Sequence, residues 1–469
     1  MPEEISRAQP PLKFIPPKFN PFIRQLTQWS FPIIQRFRLR PWLPAGIVRF
    51  ETKNVETLVK LYQQFQTSKV RFLLAFRHSE VDDPLSMFYL LSHAVPTVAR
   101  QLKIPLQRPI HSHFIYDRGM TVWAGEWLGS IFSRLGGFPI RRGKRIDKQA
   151  LSTARELFLN SKMPIAVAPE GATNGHSGIV SPLEPGVTQL GFWCVEDLLK
   201  AHRSEEVFIV PISIQYSYVK PPWEKLDWLL SKLEADSGLT PHPNQSSHSD
   251  SREEAYYERL LLIAENLLTQ MEEFYKRYYH QSFDLGVIDT SASPNQILLA
   301  RLHRLQDKAL GVAEQYFGIQ PQGNAIDRCR RLEEAGWSYI YRNDLPDLNT
   351  LPPFARGLAD WVAVEADLRM RHMRIVESFV AVTGTYVKEK PTVERFAEMG
   401  MLMHDMMSRI QDRKLPGRPR LGWRQSLVTV GEPISVTQQW ELYQKDRDAA
   451  RQTITQDLYE ALQGMISQE

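Results

Sequence analysis

Between Val70 and Tyr218 short apolar runs alternate with stretches of helical periodicity, and this alternation restricts the chain to a layered α/β arrangement. VRFLLAF, beginning at Val70, reads as a buried strand, and PLSMFYLLSHAVPTVARQL after it as a helix. QALSTARELFLN predicts a helix leading into the strand MPIAVA, and GVTQLGFWCVEDLLKAH a helix leading into the strand VFIVPISIQYSY. The expected fold is α/β: a mixed, largely parallel sheet flanked by helices. Pro211 falls inside the last of these strands; having no N–H to give a ladder, it points to an edge, a bulge or a strand end.

After about Pro221 the strands stop. A Ser/His/Pro/Asn-rich patch from Ser237 to Ser251 reads as loop or disorder, and helical patterns then run to about Ile410, as expected of a helical bundle. SLVTVGEPISV resembles one more strand and turn, followed by an amphipathic helix from about Lys445 to Ile466. A lone strand needs a sheet to join, and the economical solution is a return to the first sheet. The expected division is therefore a segment over 1–45, an α/β domain over 46–221, a large helical insertion over 222–424 before the last strand, and a final strand and helix over 425–469.

The N-terminal part is amphipathic and aromatic: Phe19, Phe22, Ile23, Leu26, Trp29, Ile33 and Phe37 recur at helical spacing, with Arg24, Arg36, Arg38 and Arg40 on the polar side. Pro32 is expected to kink this helix or divide it in two. Such a helix suits the interface of an anionic membrane, and equally suits packing on the protein's own core. No apolar run approaches the roughly 18 residues a spanning helix needs, and the N-terminus has no apolar signal core, so the expectation is a cytoplasmic protein in peripheral contact with a membrane surface. The 43% hydrophobic and 23% charged fractions argue against disorder and against a multi-span membrane protein. A net charge of +4 is too small to imply a nucleic-acid partner. Cys194 and Cys329 lie far apart and offer neither a disulfide framework nor a zinc site, so no metal or cofactor is expected.

Chemistry-bearing residues concentrate at strand ends. RHSEVDDP places His78 and, five positions on, Asp83 where a buried strand gives way to a helix. An alcohol is a poor nucleophile until deprotonated; a histidine removes the proton near neutral pH, and a carboxylate on its second nitrogen fixes the tautomer and stabilises the imidazolium. Asp82 offers the same chemistry, and Asp83–Pro84 also reads as a plain helix start with Asp as N-cap. RLGGFPIRRGKR gathers Arg141, Arg142, Lys144 and Arg145, a cluster able to grip a phosphate, each charge-assisted contact being worth about 1.5–3 kcal/mol. MPIAVAPEGATNG ends a strand in Pro169, Glu170 and Gly171, where a carboxylate can bind hydroxyls or orient an arginine. There is no Gly-x-Ser-x-Gly elbow and no activated cysteine context.

In order along the chain, His-x4-Asp at His78 and Asp83, the glycine-led stretch ending in Arg142, Pro-Glu-Gly at 169–171 and Val-Pro at 210–211 resemble the four motifs of the glycerolipid acyltransferase family, which includes lysophosphatidic acid acyltransferases. The resemblance covers about 70–220 and, more loosely, VGEPISV with the final helix. It implies His78 as general base and Asp83 as the acid that orients it, Arg142 on the acceptor's phosphate with Arg141 beside it, Glu170, Gly171 and Thr173 at the acceptor site, and Pro211 on the acyl-chain side. Two positions depart from the pattern: Ala172 stands where the family has Thr after Glu-Gly, so the hydroxyl contact there is either missing or shifted to Thr173, and Arg141 stands where Asp or Asn is common.

The activity implied is direct transfer of a fatty acyl group from acyl-CoA or acyl carrier protein to the free hydroxyl of a lysophospholipid, 1-acylglycerol-3-phosphate, without a covalent acyl-enzyme. Glycerol-3-phosphate or another lysophospholipid as acceptor, and a catalytically degenerate membrane scaffold, remain the alternatives.

Overall fold

The computed structural model describes residues 7–37, 46–141, 147–241, 251–283, 293–345, 347–379, 382–411 and 417–466. They divide into two compact units. One comprises Phe14–Arg141, Asp147–Pro221 and Gly417–Glu469; the other draws on the described residues of Met1–Lys13 and Pro222–Pro416.

The first unit is built on an eight-stranded sheet. Its strands are β1 (Ile47–Lys53), β2 (Val70–Phe76), β3 (His113–Asp117), β4 (Gly137–Ile140), β5 (Ile165–Val167), β6 (Glu206–Tyr218), β7 (Arg424–Val430) and β8 (Ile434–Ser435). The order is β1-β7-β6-β2-β5-β3-β4, with β8 paired to β6. All neighbours are parallel except β7 and β8, which run antiparallel to β6. This is the mixed, mostly parallel α/β fold the alternation predicts, with β7, which follows the helical region in sequence, inserted between β1 and β6.

Strand β2 explains why so much of the pattern was readable. Every residue in it is buried, because helices cover both faces of a parallel sheet. Phe72, Leu74 and Phe76 point into one apolar layer with Leu58, Val59 and Tyr62 of the helix Val55–Gln66. Leu73 and Ala75 point into the other with Phe158, Leu190, Leu198, Ile454 and Leu458 of the helices Lys148–Asn160, Gly186–Lys200 and Arg447–Gly464. Each such Leu or Phe taken fully out of water contributes about 1.5–3 kcal/mol.

Three expectations need correction. Pro211 is not at an edge: it lies in β6 between β2 and the β7–β8 segment, opposite Ala75. Its carbonyl accepts from Gly431 N at 2.8 Å, so the missing N–H falls on the side where the neighbouring ladder breaks for the turn between β7 and β8. The break takes the place of a strand edge. Pro32 does not divide the N-terminal helix, which runs unbroken over Pro21–Ile34; the proline sits near its C-terminal end. The helix after β2 carries an unforeseen π-helical turn, Leu90–Ala94, between Asp83–Tyr89 and Val95–Gln101. Pro96 has no N–H for Ser92 O, and Gln28 Nε2 donates to that carbonyl instead at 3.3 Å.

The second unit is helical. Helices Trp223–Asp236, Arg252–Tyr279, Pro294–Phe317, Ala325–Ile340, Pro353–Glu377 and Val393–Ile410 account for most of it. Its core gathers Tyr275, Leu310, Leu332, Ala363 and Met370 from four of them. Ser293 and Asn324 start two of the helices with reciprocal capping boxes. Most of the Ser/His/Pro/Asn-rich patch lies outside the described residues.

Candidate active site at the carboxyl edge of the sheet

Parallel strands deliver their C-terminal ends to one edge, the place where α/β sheets bind ligands. The β2 ladder runs one residue past the strand, Arg77 N donating to Ile212 O at 2.9 Å, and the chain then leaves the sheet at His78. His78 Nδ1 lies 3.0 Å from Asp83 Oδ2, and the imidazole keeps 24% of its surface exposed while the carboxyl is fully buried. An ionised carboxylate only accepts, so Nδ1 carries the proton and Nε2 is left as the basic nitrogen.

Asp83 is fixed from three directions. Oδ2 also accepts from Glu80 N at 2.9 Å, and Oδ1 accepts from the Tyr216 hydroxyl at 2.8 Å. Burial and the anions of Asp83 and Asp82 push the Tyr216 phenol well above its ordinary range, which keeps it a donor. Asp83 is the first residue of its helix, not the cap; Asp82 holds the cap position and makes no side-chain cap bond. Asp82 is turned toward Arg424 and pairs with that guanidinium, so Asp83 is the carboxylate that faces His78. Glu80 lies 3.3 Å from Arg418. Burial pushes the carboxyls of Glu80 and Asp82 above the usual carboxylate range, and the nearby arginines oppose that shift.

Glu170 lies beneath the loop that follows β5 and is 2% exposed. Its Oε1 accepts from His78 N at 2.9 Å, and its Oε2 accepts from Ser181 N at 2.8 Å and Asn174 Nδ2 at 3.0 Å. Arg77 is wholly buried and donates to three carbonyls of the same loop: Ser177 at 2.6 Å, His176 at 3.1 Å and Ile179 at 2.6 Å. Gly175 N closes the tie on Ser79 O at 3.0 Å. The loops after β2 and β5 are thus one hydrogen-bonded body, and the ring of His78 is held from its main chain as well as through Asp83. Gly171, at φ +74°, takes the left-handed turn that starts the loop, and Thr173 is exposed on it.

Arg141 follows β4 at the same edge. Its backbone N donates to Asp147 Oδ2 at 3.0 Å, an oxygen that also takes Arg118 Nη2 at 2.9 Å. Along the order β2-β5-β3-β4 this is three strand spacings from His78, about 14 Å between backbones. Arg142, with Lys144 and Arg145, lies outside the described residues. Pro211 is one strand from β2, within β6. Among the described residues no group of three or more His, Cys, Asp or Glu could hold a metal ion.

Sequence reasoning singled out His78, Asp83 and Glu170 but missed Arg77, Asn174, Tyr216, Arg418 and Arg424. Arg77 and Asn174 stand in the quoted motifs and could have been flagged as polar groups beside a buried strand. Tyr216 hides in an apolar run, and Arg424 is separated from Asp82 by hundreds of residues that carry no hint of the pairing.

Residues 51–215 match the family model described as Acyltransferase. No curated protein and no solved structure matches the chain. The matched span contains β2 through most of β6, with His78, Asp83 and Glu170 at the carboxyl edge. Within this longer chain, residues 51–215 are a domain of the glycerolipid acyltransferase family, and the enzyme they make is an O-acyltransferase.

Proposed function

We propose that the protein transfers a fatty acyl chain from acyl-CoA or acyl carrier protein to the free hydroxyl of 1-acylglycerol-3-phosphate. The observation that carries this reading is the 3.0 Å contact between His78 Nδ1 and Asp83 Oδ2 on a ring that is partly exposed. His78 Nε2 takes the acceptor's hydroxyl proton as its oxygen attacks the thioester carbonyl; the carbon–sulfur bond breaks, and the leaving thiolate takes the proton from the imidazolium. The products are an ester and a free thiol, and the ring returns to its starting form. Asp83 holds the tautomer and stabilises the imidazolium between the two proton transfers, a contribution of about a hundredfold to ten-thousandfold for the base as a whole.

Arg141 and Arg142 bind the acceptor's phosphate, Gly171 and Thr173 border the acceptor with Glu170 holding their loop from beneath, and Pro211 lies toward the acyl chain. The catalytic α/β domain spans 46–221 and 425–469, with 222–424 as its insertion. A membrane surface supplies the lipid. Support for that comes from the helix Pro21–Ile34, where Phe22, Leu26, Trp29 and Ile33 stay exposed on one side, with Phe37 just beyond it. Among the described residues no helix is long and apolar enough to cross a membrane.

The test is transfer of a labelled acyl group, run with both thioester donors and with 1-acylglycerol-3-phosphate and glycerol-3-phosphate as competing acceptors. Label in the diacyl product is expected. Label found only in the monoacyl product would replace the acceptor, and none in either would overturn the reading.

A further inference from the structure

Strand β7 opens with an arginine that is 9% exposed. The Arg424 guanidinium pairs with Asp82, lies 4.0 Å from Glu80 Oε1, and stands over the Tyr216 ring at 4.9 Å from its centroid. The hydroxyl of that same tyrosine donates to Asp83 Oδ1. A second polar contact steadies it: Ser86 Oγ lies 3.1 Å from Tyr216 OH and 2.8 Å from Ser426 Oγ, two residues along β7 from Arg424. Contacts therefore run from β7 through β6 to Asp83 and from there to His78.

The electrostatics make the same connection. Glu80, Asp82 and Asp83 place three carboxyls within four residues, and Asp82 and Asp83 are fully buried. Left to itself such a group would give up charge, because burial and mutual repulsion both oppose ionisation. Arg424 and Arg418 supply the compensation. Among the described residues, Tyr216 from β6 and Glu170, which holds His78 N, also face the pair, and Arg77 at the end of β2 lies 4.0 Å from Glu170. Tyr216, Arg418, Arg424 and Ser426 all lie beyond the matched span of 51–215.

We propose that Arg424 and Tyr216 are positioning residues for the His78–Asp83 pair, Arg424 by balancing Asp82 and backing the Tyr216 ring, Tyr216 by holding Asp83 Oδ1. The dyad is complete only when the chain that follows the helical region returns to the sheet. This rests on the reading of His78 as the catalytic base.

The experiment titrates the His78 ring by NMR in the full-length protein, with acyl-transfer kinetics measured on the same samples. Asp82→Asn leaves the Arg424 charge unbalanced and is expected to move the His78 titration down by about one pH unit; Arg424→Met is expected to move it up by about as much, the scale of a buried charge a few ångströms away. The double variant removes both charges and should return it to near the wild-type position. Tyr216→Phe is expected to lower kcat about tenfold at unchanged KM. His78 titrations that superimpose across the wild type, Asp82→Asn and the double variant would overturn the proposal, and this comparison serves if Arg424→Met does not fold. Shifts of opposite sign in a protein that transfers no acyl group would sustain the positioning and refute the catalytic reading; active protein with superimposable titrations would do the reverse.

Discussion

At the scale of single residues, the site is held by buried polar groups that each make several hydrogen bonds or ion pairs. Glu170 illustrates the cost of altering one. Its carboxylate accepts three hydrogen bonds, one of them from His78 N, with the Arg77 guanidinium 4.0 Å away. Glu170→Gln is nearly isosteric, yet it removes the charge facing Arg77 and aims an NH2 group at a donor. A loss of about 2–4 kcal/mol is expected, read as a lower thermal midpoint together with a fall in kcat. A midpoint equal to wild type would show that this buried carboxylate is dispensable to the loop.

At the scale of elements, what could be read in the sequence follows burial. Strand β2 is covered on both faces and gives a continuous apolar run, so its place and its parallel neighbours were legible. Strands β1 and β4 lie at the two edges of the sheet, and β1 alternates charge with apolar residues as Ile-Val-Arg-Phe-Glu-Thr-Lys while β4 is four residues long with Pro139 inside; neither was read as a strand, and nor was β3. His78 and Asp83 were legible because five positions across a strand–helix junction bring them within reach, whereas Arg424 depends on β7 pairing with β6, which no local signal encodes. The N-terminal helix was legible in its spacing, and Pro32 does not divide it, since a proline at the end of a helix breaks too few bonds to do so. Its outer side makes its own prediction: with Phe22 and Trp29 at 66% and 67% exposure, replacing both with Ser should weaken binding to anionic liposomes at least about a hundredfold, each aromatic ring contributing roughly 1.5–3 kcal/mol when buried in lipid. Equal sedimentation of variant and wild type with liposomes would contradict it.

At the scale of the whole molecule, each unit carries a histidine buried in its neutral form, and the two respond to acid in the same direction. Burial lowers His111 to about 4; its Nε2–H donates to Leu135 O at 2.8 Å, and its Nδ1 is buried with no hydrogen-bond partner among the described residues. Burial also lowers His372 to about 4; its Nδ1 lies 2.6 Å from the Tyr275 hydroxyl. The unfolded chain takes up a proton near pH 6.5 and the folded protein does not until about pH 4, so the stability these rings contribute is full above pH 6.5 and is lost as the pH falls toward 4. Between pH 8 and pH 5 each histidine is expected to cost on the order of 2 kcal/mol. Urea unfolding of wild type and His111→Gln at the two pH values checks this, the variant losing less by about that amount in the sheet-bearing unit; parallel losses would contradict it.

The proposed chemistry turns on the imidazole at the end of β2. The most direct measurement is the initial rate at which wild type and His78→Ala, each shown to be folded by its thermal transition, convert 1-acylglycerol-3-phosphate and a labelled acyl thioester to phosphatidic acid. The expected result is a loss of about a hundredfold to ten-thousandfold with the fold intact. A folded His78→Ala protein that makes product at the wild-type rate would contradict it.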